Sequence, residues 1–182
     1  MTISKWNIDS THSGVHFVAR HMVITKVRGS FKAFEGTLEL DEADLTRSKI
    51  HVKIDAGSID TAEARRDAHL KSPDFLDVEK FPALVFESKS IKKSGDDYLV
   101  TGDLSFHGVT KEVTLKAEVG GQGKDPWGNQ RTAFSATTSI NREDFGLKWN
   151  QVLEAGGVLV GTKIDIELDV QAVLDTKATV AA

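Results

Sequence analysis

Apolar and polar residues alternate along eight separate stretches of the chain. In the clearest of them, residues 164–171, every apolar residue is followed by an acidic or amide residue. A two-residue period is that of a β-strand with one buried face. The chain is therefore restricted to folds in which eight strands share one core. The eight stretches begin at Val15, Phe34, Ile50, Leu84, Val100, Val113, Phe134 and Ile164.

Turn-forming residues, such as those at 94–97 and 107–108, separate the predicted strands. Short connections indicate antiparallel neighbours. Eight antiparallel strands form either a sandwich or a closed barrel, and closure removes the exposed sheet edges. The strand number favours a barrel, because eight strands enclose an interior that side chains just fill or that holds one small ligand. We therefore predict an all-β fold, an eight-stranded antiparallel β-barrel.

Small and bulky residues share the face predicted to point inward. Small residues there leave room, and strands of this length enclose a tube of roughly 20–25 Å. Such a tube would accept an elongated apolar molecule. The same pattern is typical of a dry, filled core, and periodicity does not separate the two interpretations. The small residues on this face are Ala19, Gly36, Gly102, Ala117 and Ala136.

Two segments break the alternation. Phe31 and Phe34 are three residues apart and cannot face the same side of a regular strand. Either a β-bulge lies between them or one ring points outward, and we favour the bulge. Residues 64–82 have helical spacing, with Thr61 as a candidate cap and Pro73 as a stop signal. We predict a short helical insert between the third and fourth predicted strands, covering a flank or mouth of the barrel.

The composition excludes several kinds of partner and site. Twenty-three basic and 27 acidic residues give a net charge of -4. The chain has no long block of like charge, so nucleic acid is not expected as a partner. The chain has no cysteine, which excludes disulfides, thiolate metal sites and cysteine nucleophiles. A length of 182 residues suits one domain, which we place at residues 1–174. Residues 175–182 are expected to form a disordered tail.

The first residues lack the apolar stretch of a secretory signal, and no run approaches the length of a membrane-spanning helix. We expect a cytoplasmic location and no stable membrane insertion. A periplasmic location would follow if a signal peptide had been removed.

Residues able to carry catalysis form no recognised pattern. His12 and His16 would lie about 13 Å apart along a strand, too far to share a metal. We expect no catalytic residue, no metal site and no cofactor, although a catalytic dyad assembled from distant strands stays open. His21 ends a strand on the inward parity. It either hydrogen-bonds to a neighbouring group or contacts a ligand head group.

Five motifs occur in order between Trp6 and Val173. They are "DSTHSGVHFVARHM", "VRGSFKAFEGTL", "IDTAEARRDAHLKSPDFLDVEKFPALVFES", "VTGDLSFHGVTKEVTL" and "INREDFG". Together they resemble the YceI-like family of bacterial polyisoprenoid-binding proteins. The resemblance implies a lipocalin-like barrel with a helical segment at one side and a long apolar pocket. It implies polyisoprenoids, isoprenoid quinones or related amphiphiles as ligands, and no established enzymatic activity.

The resemblance and the strand parity together select the candidate site. The family's strand-end histidine matches His21, and its "NR-x-DFG" turn contains Arg142, Asp144 and Phe145. Arg142 and Asp144 either meet a ligand head group at the pocket mouth, or pair with each other or staple the turn. The predicted ligand-binding residues are Phe17, Ala19, His21, Phe34, Phe75, Phe86, Leu104, Phe106, Phe134, Ala136, Arg142, Asp144 and Phe145.

The predicted function is non-enzymatic binding, transport or storage of a long-chain apolar lipid, either a polyisoprenoid or an isoprenoid quinone. The alternatives are another amphiphile such as a fatty acid or its amide, an enzyme acting on an isoprenoid lipid, and a structural domain with a filled barrel. An exposed pocket mouth would favour a homodimer that covers it.

Overall fold

Strands make up most of the molecule, as the alternation predicts. The computed structural model describes residues 2–178, which form eleven β-strands and one α-helix. All strand pairings among these residues are antiparallel. The elements are β1 (Ile3–Ile8), β2 (Gly14–His21), β3 (Thr25–Phe31), β4 (Phe34–Asp41), β5 (Lys49–Asp55), β6 (Ile59–Asp60), α1 (Ala64–Lys71), β7 (Ala83–Ser94), β8 (Asp97–Phe106), β9 (Val109–Lys124), β10 (Gln130–Asn141) and β11 (Lys163–Leu174).

Eight of the described strands form a closed ring. Their order is β1-β4-β5-β7-β8-β9-β10-β11, and β11 pairs again with β1. The closing pairs are Trp6↔Leu174, Asn7↔Val173 and Ile8↔Ala172. The structure thus confirms the predicted all-β fold, an eight-stranded antiparallel barrel with one helix.

The ring contains β1, which the alternation does not reveal. Trp6 and Ile8 share a face of β1 with Ser4, so only two apolar residues mark the buried parity. Trp6 is fully buried and packs with Leu38, Leu40 and Ala172. The first predicted strand, which is β2, lies outside the ring.

The segment β2, β3 and β6 extends the sheet beyond the ring. β1 pairs with residues 172–174 of β11, and β2 pairs with residues 165–169 of the same strand. β3 then pairs with β2, and β6 pairs with β3. Phe31 therefore ends β3 and Phe34 begins β4, so the predicted bulge between them is wrong. The phenyl groups of Phe31 and Phe34 both line the barrel interior, because the two residues belong to different strands.

The predicted helical insert is α1, which lies between β5 and β7, the third and fourth predicted strands. Its first free amides are capped by Glu63, whose carboxylate accepts hydrogen bonds from the N–H groups of Arg65 and Arg66. The expectation that Thr61 caps the helix is wrong. Ser72 ends the helix, as the following proline predicts.

Thr61 instead ties the helix to β6. Its hydroxyl donates to Asp67 Oδ1 at 2.6 Å and accepts from Arg66 Nε at 2.7 Å. Arg66 Nη2 also donates to the Thr61 carbonyl at 2.8 Å. Since Thr61 is buried, these bonds fix the orientation of α1 on the end of the barrel.

Beyond the end of β11 the chain continues alongside β1. The Asp175 N–H donates a hydrogen bond to the Lys5 carbonyl at 2.8 Å. Residues 179–182 of the predicted tail lie outside the described residues. The disorder expected for residues 175–182 stays a prediction.

Arg131 on β10 joins two loops at the end of the barrel opposite α1. It donates from Nη1 to Asp9 Oδ2 and from Nε to Asp125 Oδ2, each at 2.8 Å. The hydrogen bond from Arg131 is the main cause that lowers the pKa of Asp9 to about 2. The same guanidinium holds the pKa of Asp125 well below its usual value. The network links the β1–β2 turn to the β9–β10 turn.

This network predicts a loss of stability in acid. The pKa of Asp9 is lower in the folded chain than in the unfolded chain. The ionised Asp9 carboxylate therefore makes its full contribution to the free energy of unfolding at pH values above the pKa of the unfolded chain. This contribution is lost as the pH falls from about 5 to about 2. We expect Asp9→Asn to lower the free energy of unfolding at neutral pH by about 1 kcal/mol and to weaken this pH dependence. Urea unfolding midpoints across the range measure both effects.

Asp96→Asn is the matched control, since Asp96 is exposed in the β7–β8 turn. An Asp9→Asn variant with the stability and pH profile of the parent chain would contradict the prediction.

Candidate ligand-binding cavity

A cavity of about 300 Å³ runs through the barrel. All eight strands of the ring contribute to its wall. On β10 the lining residues run from Phe134 to Ile140, which is roughly 20 Å of strand. The volume lies at the lower end of the range for small-molecule sites, about 300–1,000 Å³. The interior is therefore neither a filled core nor a wide channel.

Small residues create this space, but only at some of the predicted positions. Ala117 and Ala136 are directly opposite each other in the β9–β10 pair, and both line the cavity. Gly36 and Gly102 are instead covered by neighbours. A Cβ atom at Gly36 would lie 2.6 Å from the Ile8 side chain, and one at Gly102 would lie 2.7 Å from the Phe86 ring. The alanines therefore leave room, whereas the glycines accommodate packed side chains.

The surface that the cavity exposes is apolar. Polar residues in the wall direct their polar atoms elsewhere. The Thr138 hydroxyl, for example, donates to the Thr114 carbonyl at 2.8 Å. A polar group placed in the middle of the cavity would find no hydrogen-bond partner there, which makes its burial unfavourable.

The segment after α1 covers the cavity at one end. Leu70, Phe75 and Leu76 line the cavity there, and Phe75 and Leu76 are buried. The Phe75 ring lies 5.3 Å from Trp149 and 5.0 Å from His69, measured between ring centroids. His69 also contacts Trp149 edge-on at 4.6 Å. This aromatic cluster joins the insert to the segment between β10 and β11.

Arg142 organises the same end of the barrel from the 3₁₀ turn Arg142–Phe145. It is 3% exposed, and its guanidinium donates only to backbone carbonyls. Burial lowers the pKa of Arg142, although an arginine stays charged. Of the alternatives predicted for Arg142, the structure shows the one in which its side chain staples the turn, by hydrogen bonds to backbone carbonyls. The acceptors are the carbonyl oxygens of Gly161 at 2.8 Å, Leu147 at 2.7 Å, Trp149 at 3.0 Å and Val160 at 3.2 Å.

Ten of the thirteen predicted ligand-binding residues line the cavity, among them Arg142, which does so with the carbon atoms of its side chain. Their contact with a ligand stays a prediction. The ten are Phe17, Ala19, Phe34, Phe75, Phe86, Leu104, Phe106, Phe134, Ala136 and Arg142.

The other three predicted residues lie outside the cavity wall. His21 forms an isolated bridge with Val160 at the end of β2. Phe145 is buried behind the wall and stacks on Phe106, with ring centroids 4.2 Å apart. Asp144 is exposed in a depression on the outer surface, between β9 and β10.

Sequence reasoning misses two groups of lining residues. Aliphatic residues such as Val52 and Leu168 lie on the predicted parity, but the prediction favours aromatic side chains. Leu76, Leu147 and Val160 belong to segments without a strand period, so no pattern marks them.

Within residues 2–178, no cluster of three or more histidine, aspartate or glutamate side chains is arranged to hold a metal ion. The described part of the chain also contains no helix of the length and apolar character needed to cross a membrane.

The family model of the YceI-like domain matches residues 6–172. The chain belongs to the YceI-like family. "Protein YceI" of Escherichia coli O17:K52:H18 is 45% identical over 140 residues, which cover 77% of this chain and 73% of that protein. "Protein YceI" of Salmonella newport is 44% identical over 139 residues, which cover 76% and 73%.

Solved structures have the same YceI-like fold. The Campylobacter jejuni YCEI protein is 29% identical with a TM-score of 0.73, over 85% of this chain and 88% of that one. Burkholderia cenocepacia BcnA is 23% identical with a TM-score of 0.79, over 90% and 98%. A Saccharophagus degradans domain, described as polyisoprenoid binding, is 14% identical with a TM-score of 0.67, over 96% and 100%. The last two likenesses show the fold alone.

The hydrogen bonds of Arg142 predict a large effect of its removal on stability. Arg142→Met keeps an apolar stem in the wall but removes the arginine donor from the carbonyls of Gly161, Leu147 and Trp149, while the Val160 carbonyl keeps its hydrogen bond from Asn150 Nδ2. We expect the free energy of unfolding to fall by about 2–4 kcal/mol, as measured by urea unfolding. Arg142→Lys should recover only part of the loss, because lysine lacks the planar fork of donors.

The control is Arg28→Met, on the exposed face of β3. Equal stability of the Arg142→Met and Arg28→Met variants would show that the guanidinium does not hold this end of the barrel together.

Proposed function

We propose that this YceI-like protein binds a long-chain apolar lipid, either a polyisoprenoid or an isoprenoid quinone, and carries or stores it without changing it chemically. The observation that carries the proposal is the elongated cavity whose exposed surface is apolar over its whole length. Such a site suits a hydrocarbon chain.

Transfer of the chain out of water supplies the binding energy. Each buried CH₂ group contributes about 0.8 kcal/mol, so a few isoprene units offset the cost of ordering the ligand. Hydrocarbon makes no directional contacts, and the length and width of the cavity therefore set its selectivity. The polyisoprenoid-binding description of the Saccharophagus domain supports an isoprenoid, since a barrel of this fold accommodates such a ligand.

The ligand is identified by organic extraction of protein purified from its native host, followed by mass spectrometry. We expect an isoprenoid lipid, and we expect added decylubiquinone to raise the melting temperature, because a ligand that binds only the folded chain stabilises it. Recovery of a fatty acid or its amide would favour that alternative. The proposal fails if no lipid is extracted and the quinone leaves the melting temperature unchanged.

A larger side chain at the alanine pair should fill the cavity. We expect Ala136→Phe to reduce lipid uptake at least about tenfold, because the new ring occupies the space left by Ala117 and Ala136. Uptake is measured by mass spectrometry of protein incubated with decylubiquinone.

Thr137→Phe is the matched control, since Thr137 is the next residue on β10 and is exposed. Normal uptake by a folded Ala136→Phe variant would place the ligand outside the cavity.

A further inference from the structure

The backbone ladder between β9 and β10 stops before the end of the barrel. Paired residues run from Gln130↔Lys124 to Thr137↔Lys116 and go no further. β10 continues to Asn141, paired throughout with β11, and the first residues of β9 stay paired with β8. In the described chain, residues 138–141 of β10 and 111–114 of β9 therefore form two sides of a cleft, here called the β9–β10 cleft.

Where the ladder stops, a side-chain hydrogen bond links β10 to β9. The Thr138 hydroxyl donates to the Thr114 carbonyl at 2.8 Å. One hydroxyl bond is easier to open than a run of main-chain pairs, because only one bond is broken and no neighbouring bonds strengthen it. The cleft is thus a local weakness in the barrel wall.

The β9–β10 cleft contains an outer depression of about 450 Å³. Val113, Thr138 and Ile140 line both this depression and the internal cavity. These three side chains therefore lie between the two spaces. The β10–β11 pair, in contrast, is continuous from Arg131↔Val173 to Asn141↔Lys163.

We propose that the β9–β10 cleft is the lateral portal through which the lipid enters, and that the head group of the lipid remains there. This inference rests on the proposed function. Because the cavity exposes no polar atoms, a polar head group is unfavourable inside it. The cleft offers backbone groups of two strands beyond their ladder and the Nδ2 donor of Asn141, whose Oδ1 accepts from Glu143 N.

The charges at the cleft select an uncharged head group. Lys111 and Asp144 contribute one charge of each sign. Lys89 Nζ lies 2.7 Å from the Glu112 carboxylate and 3.3 Å from that of Asp103, so one cation is shared by two carboxylates. A phosphate would meet a rim without an excess of positive charge and without a cluster of cations to receive it. A hydroxyl, carbonyl or amide head group instead finds donors and acceptors.

The absence of cysteine from the chain allows a direct test of entry. Ser139→Cys places a thiol on the exposed rim of the cleft, and Glu167→Cys places one on the exposed face of β11, opposite Thr137. Each variant is modified with a fluorescein maleimide, and the uptake of geranylgeraniol from cyclodextrin is followed by mass spectrometry. We expect modification at Ser139→Cys to slow uptake at least about tenfold, and modification at Glu167→Cys to leave it unchanged.

The two proposals fail in different ways. If no variant takes up geranylgeraniol, with or without modification, the proposed lipid binding is wrong. If uptake occurs and modification at Ser139→Cys does not slow it, lipid binding stands and the portal is wrong.

The head group is tested by comparing geranylgeraniol with geranylgeranyl phosphate at equilibrium. We expect the phosphate to bind the parent chain at least about tenfold more weakly, and Asp144→Lys to reduce that difference. Equal or tighter binding of the phosphate by the parent chain would overturn the preference for an uncharged head group. If Asp144→Lys leaves the difference in affinity between geranylgeraniol and geranylgeranyl phosphate unchanged, the head group does not lie in the cleft.

Discussion

An apolar cavity requires every backbone polar group around it to find a partner within the protein, because the space itself offers none. A ring of antiparallel strands meets this requirement, since each strand pairs on both sides. The pairing of β11 with β1 closes the ring with only three residue pairs. Where the ladder between β9 and β10 stops, the Thr138 hydroxyl supplies the donor for the Thr114 carbonyl. The same requirement explains Arg142, whose guanidinium satisfies carbonyl groups of the segment between β10 and β11.

The wall and the ends of the barrel have different roles. Alternation places carbon on the inner surface of each strand, so the middle of the cavity offers apolar area and no directional contacts. Aromatic contacts among His69, Phe75 and Trp149 hold one end together. Polar atoms that could distinguish one head group from another are not exposed on the inner surface of the cavity.

Strand period and inward parity can be predicted from the sequence because they follow from local geometry. Phe86 and Phe134 line the cavity for that reason. β1 escapes prediction because Ser4 interrupts its short apolar pattern. The separation of Phe31 from Phe34 depends on the pairing of β3 with β2 and β6, which no local pattern records. The staple by Arg142 likewise depends on acceptors up to 19 residues away along the chain.

Closure by β1 and β11 also sets an order of events. β1 begins at Ile3 and β11 ends at Leu174, so the two edges that seal the barrel are separated by most of the chain. During translation β1 cannot complete the ring until β11 has been synthesised. Contacts between residues so far apart in the chain also form slowly. A nascent chain therefore has no enclosed cavity. Any ligand of the cavity can be enclosed only after the ring has closed, and until then the inward apolar faces of the strands are exposed and prone to aggregation.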